Sequence, residues 1–221
     1  MNLKDIIFLP LDMPTLDVDY DKLVKVYESY RDNLVPDEYR NCLHMPIHYD
    51  CYDANRASEL DWTEFAEYLP EVKQYIIDNV EPALGMIPRA MIICTPPQTE
   101  GYPHIDCTRD VFDEVQLKFR IVLAGKTSTL YFIEDPEARV YAPEIGQTPF
   151  FMAGEWPHGL DNYTENYKFT LALGAPWNCE ETPELLDLVE RSTKKNRYVK
   201  RDELTLPDIS KYWKTKRVGS S

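Results

Sequence analysis

The chain has 221 residues, 43% of them hydrophobic, enough for one large β domain with added helices around a proper core. Its net charge of −14 argues against a nucleic-acid backbone as the main partner, because phosphate binding needs a basic surface. No apolar segment approaches membrane-spanning length. The five cysteines, odd in number and without a CxxC pair, read as free thiols of a reducing, cytoplasmic compartment.

The apolar run Ile6-Ile7-Phe8-Leu9 is short and cut by Pro10, so residues 6–11 read as a strand rather than a secretory signal. Residues 19–34 predict a helix with Leu23, Val24, Val26, Tyr27 and Tyr30 on one side. Residues 35–55, rich in Pro, Tyr, Asp and His, read as irregular, and His44 and His48 within them as packing or surface residues. Residues 58–68 predict a second helix with Ser58 as its N-cap, and Pro70 opens a third ending near Val80.

From Met91 the texture changes to short apolar or alternating runs between turn residues. Strands are expected at 91–94, 102–106, 116–124, 129–134, 139–142, 149–153 and 167–173. A short segment at His158 makes eight, the number of a jelly roll. Pro96-Pro97, Gly125, Asp135-Pro136, Pro143, Gly146 and Gly154 sit where turns should be. A closing helix is expected from Pro183 to about Lys195, capped by Thr182. From Arg191 onward ten Lys and Arg accompany only three acids, which reads as a solvated basic tail. The organisation expected is a single domain: a supporting region at 1–89, a mainly β jelly-roll (cupin-like) core at 90–176, and a helix with basic tail at 177–221.

Chemistry concentrates in Tyr102-Pro103-His104-Ile105-Asp106. On an extended segment His104 and Asp106 point to the same side, because the strand period is two. The downstream sequence holds one further histidine, His158. Two histidines and a carboxylate on one face of an octahedral ion leave three positions open, the facial triad of non-haem Fe(II) chemistry. A second His-x-Asp, His48-Tyr49-Asp50, is a decoy. With His104 as its distal histidine, the residue ten further on is Glu114, an anion. For the first pair the residue ten after His158 is Lys168. Lys168, Thr170 and Ala172 share one face of an alternating strand, where an ammonium and a hydroxyl can hold a carboxylate inside a barrel. Arg120 lies on an alternating strand with Lys118 and Val122 on its face, and is costly there unless paired. It is a candidate for a co-substrate or substrate carboxylate, bound bidentately. Tyr102, Tyr131 and Trp156 are candidate pocket-lining residues. Cys107, next to Asp106, reads as a small buried hydrophobe.

His104-x-Asp106, His158 and Lys168, in that order, resemble the Fe(II)/2-oxoglutarate-dependent dioxygenase superfamily. The resemblance covers roughly residues 90 to 175. It implies a double-stranded β-helix, Fe(II) at His104, Asp106 and His158, and 2-oxoglutarate and O2 as co-substrates. It also implies that Lys168 and Thr170 hold the far carboxylate of 2-oxoglutarate. A lysine in that slot resembles the prolyl 4-hydroxylase branch. Lys168-x-Thr170 resembles the Arg-x-Ser pair of the plant and antibiotic-synthesis branch. His158-x-x-x-Asn162 is similar to the aspartyl/asparaginyl β-hydroxylase pattern, which brings Asn162 to the pocket. The implied reaction is hydroxylation of a small molecule or peptide, with an amino-acid side chain favoured. Two alternatives keep the barrel: a non-catalytic cupin-like binding or structural module, and a Zn or Mn metalloenzyme on the same triad. Neither requires a cation ten residues after the last ligand. No oligomeric state follows from the sequence.

Overall fold

The computed structural model describes residues 2–37, 41–49, 60–106 and 117–212. Strand β1 (Ile6–Pro10) is followed by helix α1 (Tyr20–Tyr30), whose N-cap Asp19 accepts from the Lys22 amide. Leu23 and Tyr27 form its buried face. Next come β2 (Val35–Asp37), β3 (Cys42–Tyr49) and β4 (Asp61–Trp62). This corrects the expectation of an irregular stretch. Pro46, mid-strand, interrupts the apolar pattern, and the register with the neighbouring strand shifts beside it.

Thr63 rather than Ser58 caps the next helix, α2 (Glu64–Tyr68), so the helix expected from residue 58 starts later. Asp61 and Trp62 are instead drawn into pairing with β3, and Ser58 lies outside the described residues. Helix α3 (Pro70–Tyr75) runs through a wider turn at Ile76–Val80 into α4 (Glu81–Leu84). Pro82 has no N–H to return to the preceding turn, which accounts for the widening.

The remaining elements are β5 (Arg89–Thr95), β6 (Leu117–Ala124), β7 (Leu130–Glu134), β8 (Ala138–Tyr141), β9 (Phe150–Met152), β10 (His158–Leu160), β11 (Lys168–Ala175), α5 (Pro183–Lys195) and β12 (Val199–Lys200). Residues 102–106 do not form a full strand; they contribute one isolated bridge at His104.

The strands build two antiparallel sheets, and the mainly β jelly roll with flanking helices is the architecture observed. The major sheet runs β12-β1-β9-β6-β11-β5-β3-β2, with β4 beside β3; the minor sheet runs β10-β7-β8. The major sheet thus takes strands from both sides of residues 90–176. Its outer face carries Met45, Ile92, Leu171, Phe119 and Ile121 against Tyr27, Val72 and Leu188 of the helices. Each fully buried side chain of this kind contributes about 2 kcal/mol.

Strand alternation puts the remaining residues on the inner face. Phe8, Val122, Phe150 and Met152 there meet Leu130 and Phe132 of the minor sheet in a second core. The same inner face carries Arg89, Lys118, Arg120, Lys168 and Thr170, all buried. Thr170 stands between Val122 and Ile93, and Lys168 beside Thr95. Among the described residues, no helix is long and apolar enough to cross a membrane.

Candidate metal centre

The two histidines are mounted in the same way. Tyr102-Pro103-His104 and Trp156-Pro157-His158 are both aromatic-Pro-His runs. Proline fixes its own φ and holds the residue before it extended. The carbonyl two residues back is thereby presented to each imidazole: His104 Nδ1 lies 2.9 Å from Tyr102 O, and His158 Nδ1 lies 2.8 Å from Trp156 O. A carbonyl only accepts, so each Nδ1 carries the proton and each Nε2 presents its lone pair.

Backbone pairing then brings these lone pairs together. The amides of His104 and His158 each donate to the other's carbonyl at 2.9 Å, and the Asp106 amide donates to Gly154 O at 2.8 Å. His104 Nε2 lies 3.5 Å from Asp106 Oδ1, and His158 Nε2 lies 3.6 Å from Asp106 Oδ2. These are longer than hydrogen bonds and suit ligands arranged around one ion. The donor atoms of the three residues all lie within 4.8 Å of one another. Gly159 permits the arrangement: a Cβ there would collide with the Tyr131 ring and hydroxyl.

A partly enclosed cavity opens from His104 and His158, walled by Arg120, Lys168, Thr170 and apolar side chains such as Ile93. Lys168 is only 1% exposed, which rules out a solvated strand lysine. Its ammonium donates to Lys126 O at 2.6 Å and to the Thr129 hydroxyl. Burial pulls its pKa down to about 7, against the pull of Glu144 and Asp161. The Thr170 hydroxyl, two residues on, is buried and has no hydrogen-bond partner among the described residues. A bound carboxylate would satisfy both groups. Arg120, which also lines the cavity, has its Nη2 3.9 Å from Asp106 Oδ2.

Four candidate pocket residues lie elsewhere. The Tyr102 side chain is 62% exposed, and only its carbonyl serves the site. Tyr131 faces away from the cavity, since Leu130 and Phe132 occupy the inner face of β7. Its hydroxyl donates to Gly101 O at 2.6 Å, and Arg139 covers its ring. Trp156 is packed in the second core with its indole N–H on Ile133 O. Asn162 donates to Thr95 O, Pro96 O and Asn166 O, clamping a turn instead of reaching a ligand. Strand alternation cannot assign loop residues such as Tyr102, Trp156 and Asn162 to a face. Of the decoy, His48 is buried, its Nδ1 2.8 Å from Pro88 O and its ring against Trp62. Asp50, Glu114 and Cys107 lie outside the described residues. Missed in the sequence was the role of the Trp156 and Tyr102 carbonyls as acceptors for the histidines, although the repeated aromatic-Pro-His run was there to find.

No family model matches the sequence, and no curated protein matches it. Solved structures do. A Pseudomonas putida prolyl-4-hydroxylase is 13% identical over 76% of this chain and 92% of its own, with a TM-score of 0.41. A prolyl hydroxylase in complex with a hypoxia inducible factor oxygen degradation domain peptide fragment, from Trichoplax adhaerens, is 14% identical over 77% and 85%, with a TM-score of 0.44. An oxidoreductase of the 2OG-Fe(II) oxygenase family from Burkholderia pseudomallei is 12% identical over 77% and 83%, with a TM-score of 0.45. It is in the order of its motif residues, His104-x-Asp106, His158 and Lys168, that the chain resembles the Fe(II)/2-oxoglutarate-dependent oxygenase superfamily.

Proposed function

We propose that the protein is a non-haem Fe(II) dioxygenase that couples oxidative decarboxylation of 2-oxoglutarate to hydroxylation of a substrate. The observation that carries this reading is the convergence of two backbone-tethered imidazoles and one carboxylate on a point beside a cavity that holds a buried lysine and an orphaned hydroxyl. His104, Asp106 and His158 would hold Fe(II), which with 2-oxoglutarate and O2 supplies the oxidising chemistry.

The protein's own residues do the positioning. The backbone carbonyls of Tyr102 and Trp156 fix the tautomer of each histidine. Arg120, beside Asp106, favours the ionised carboxylate needed for ligation. Lys168 and Thr170 receive the far carboxylate of the co-substrate, and the apolar walls exclude water. The substrate is proposed as an amino-acid side chain, free or in a peptide; the Asn162 pattern no longer supports this, because Asn162 is spent on its turn.

The test is anaerobic. Fe(II) and 2-oxoglutarate added to metal-free protein should give the weak visible metal-to-ligand charge-transfer band of the chelate, and His104→Ala or Asp106→Ala should remove it. Folded wild-type protein that binds Fe(II) yet shows no such band would overturn the reading.

A further inference from the structure

The hairpin of β2 and β3 repeats the construction of the first centre with a different donor set. In that centre His104 and Asp106 are two residues apart and His158 lies opposite His104. In the hairpin Cys42 and His44 are two residues apart, and Asp37 lies opposite Cys42 in antiparallel register. All three side chains therefore project from one face. Thiol, imidazole and carboxylate each offer one atom, and these atoms lie within 4.8 Å of one another.

The spacing suits ligands arranged around one ion. His44 Nε2 stands 3.6 Å from Asp37 Oδ2, beyond hydrogen-bond range and equal to the His158–Asp106 separation in the first centre. Ligands about 2.1 Å from a tetrahedral ion are separated by roughly 3.4 Å. The group is also largely buried: the His44 and Asp37 side chains are 9% and 11% exposed. Thr95, on the same face next to Cys42, adds a buried hydroxyl with no hydrogen-bond partner among the described residues. An open cleft of about 450 Å3, lined by Arg31, Asp37, Asn41, Cys42 and Pro96, gives an ion a route in.

We propose that Asp37, Cys42 and His44 form a second metal site, distinct from the His104–Asp106–His158 centre, which takes Zn2+ or a similarly borderline-soft divalent cation. The thiolate sets the selectivity. A Cys/His/Asp set favours Zn2+, whereas the oxygen- and nitrogen-only set of the first centre does not discriminate in that direction. Three protein ligands leave a fourth position for water. The ion ties the three-residue edge strand β2 to β3.

Metal-free full-length protein titrated with Co2+ tests this. A thiolate-to-cobalt charge-transfer band in the near-ultraviolet is expected, and Zn2+ should displace it. The first centre has no thiolate among the described residues, so His158→Ala should leave the band at full strength. Cys42→Ser should abolish it. His44→Gln should weaken Co2+ binding by more than the roughly 100-fold that loss of an outer-shell partner costs at most. Circular dichroism of both variants checks that they are folded. Absence of the band in folded wild-type protein would overturn the proposal. So would a band that survives in Cys42→Ser or disappears in His158→Ala, since the thiolate would then belong to another cysteine such as Cys107. None of these outcomes depends on oxygenase activity.

Discussion

His104 and His158 are joined by two reciprocal backbone hydrogen bonds of 2.9 Å, and their ring centroids are 4.7 Å apart. The two segments that carry the histidines therefore cannot shift independently. A distortion beside one should be felt as lost metal affinity rather than as local disorder.

Gly159 provides the sharpest test of that coupling. A methyl group there collides with Tyr131, which is held in turn by Gly101 O. Gly159→Ala should move His158 and weaken Fe(II) binding by roughly 10- to 100-fold, the range seen when ligand orientation is lost. Equilibrium dialysis of a folded variant measures it, and unchanged affinity would show that the strand can yield.

Lys168 should make co-substrate binding proton-linked. Burial holds its ammonium near pKa 7, and a bound carboxylate restores the charge. Binding of 2-oxoglutarate should take up a proton at pH 8 and almost none at pH 5.5. Calorimetry in two buffers of different ionisation enthalpy reads the difference. Lys168→Met should weaken 2-oxoglutarate binding by about a hundredfold, or about 3 kcal/mol.

The same substitution should stabilise the ligand-free fold. A lysine with a depressed folded pKa carries its full cost below pH 7. That cost fades as pH rises toward the unfolded value of about 10.4. The Tm advantage of Lys168→Met should be larger at pH 6 than at pH 9; a pH-independent difference would argue that Lys168 is not the titrating group.

Thr170→Val keeps the shape and removes the orphaned hydroxyl. The ligand-free protein should be as stable as wild type or more stable by about 1 kcal/mol, while 2-oxoglutarate affinity should fall roughly tenfold. Loss of stability instead would mean that the hydroxyl is satisfied within the protein.

Asn162→Ala should do the reverse. It removes an amide whose two N–H groups are shared among three carbonyls and whose oxygen accepts from Thr164, so a loss of about 3 kcal/mol, or roughly 10 °C in Tm, is expected. Below the melting transition 2-oxoglutarate affinity should be unchanged. A substantial loss of that affinity would return Asn162 to the pocket.

Local periodicity and spacing made much of this arrangement legible. The gathering of His104, Asp106 and His158 followed from a two-residue repeat and a single downstream histidine. The inward direction of Arg120, Lys168 and Thr170 followed from strand alternation. Strand β3 was hidden because Pro46 and two buried histidines break the apolar pattern that marks a strand. The hairpin donor set was hidden with it, since Asp37 meets Cys42 only through β pairing. Tyr131 looked like a wall residue because its sequence neighbours are; the sequence does not say which side of the minor sheet meets the cavity.

Arg89, Lys118, Arg120 and Lys168 all turn inward on the major sheet, while the chain as a whole carries −14. The anionic co-substrate proposed above would therefore meet repulsion at long range and attraction only at the cavity. Added salt screens the first far more than the second. Encounter should quicken as ionic strength rises, opposite to the behaviour of an enzyme that steers its ligand by surface charge.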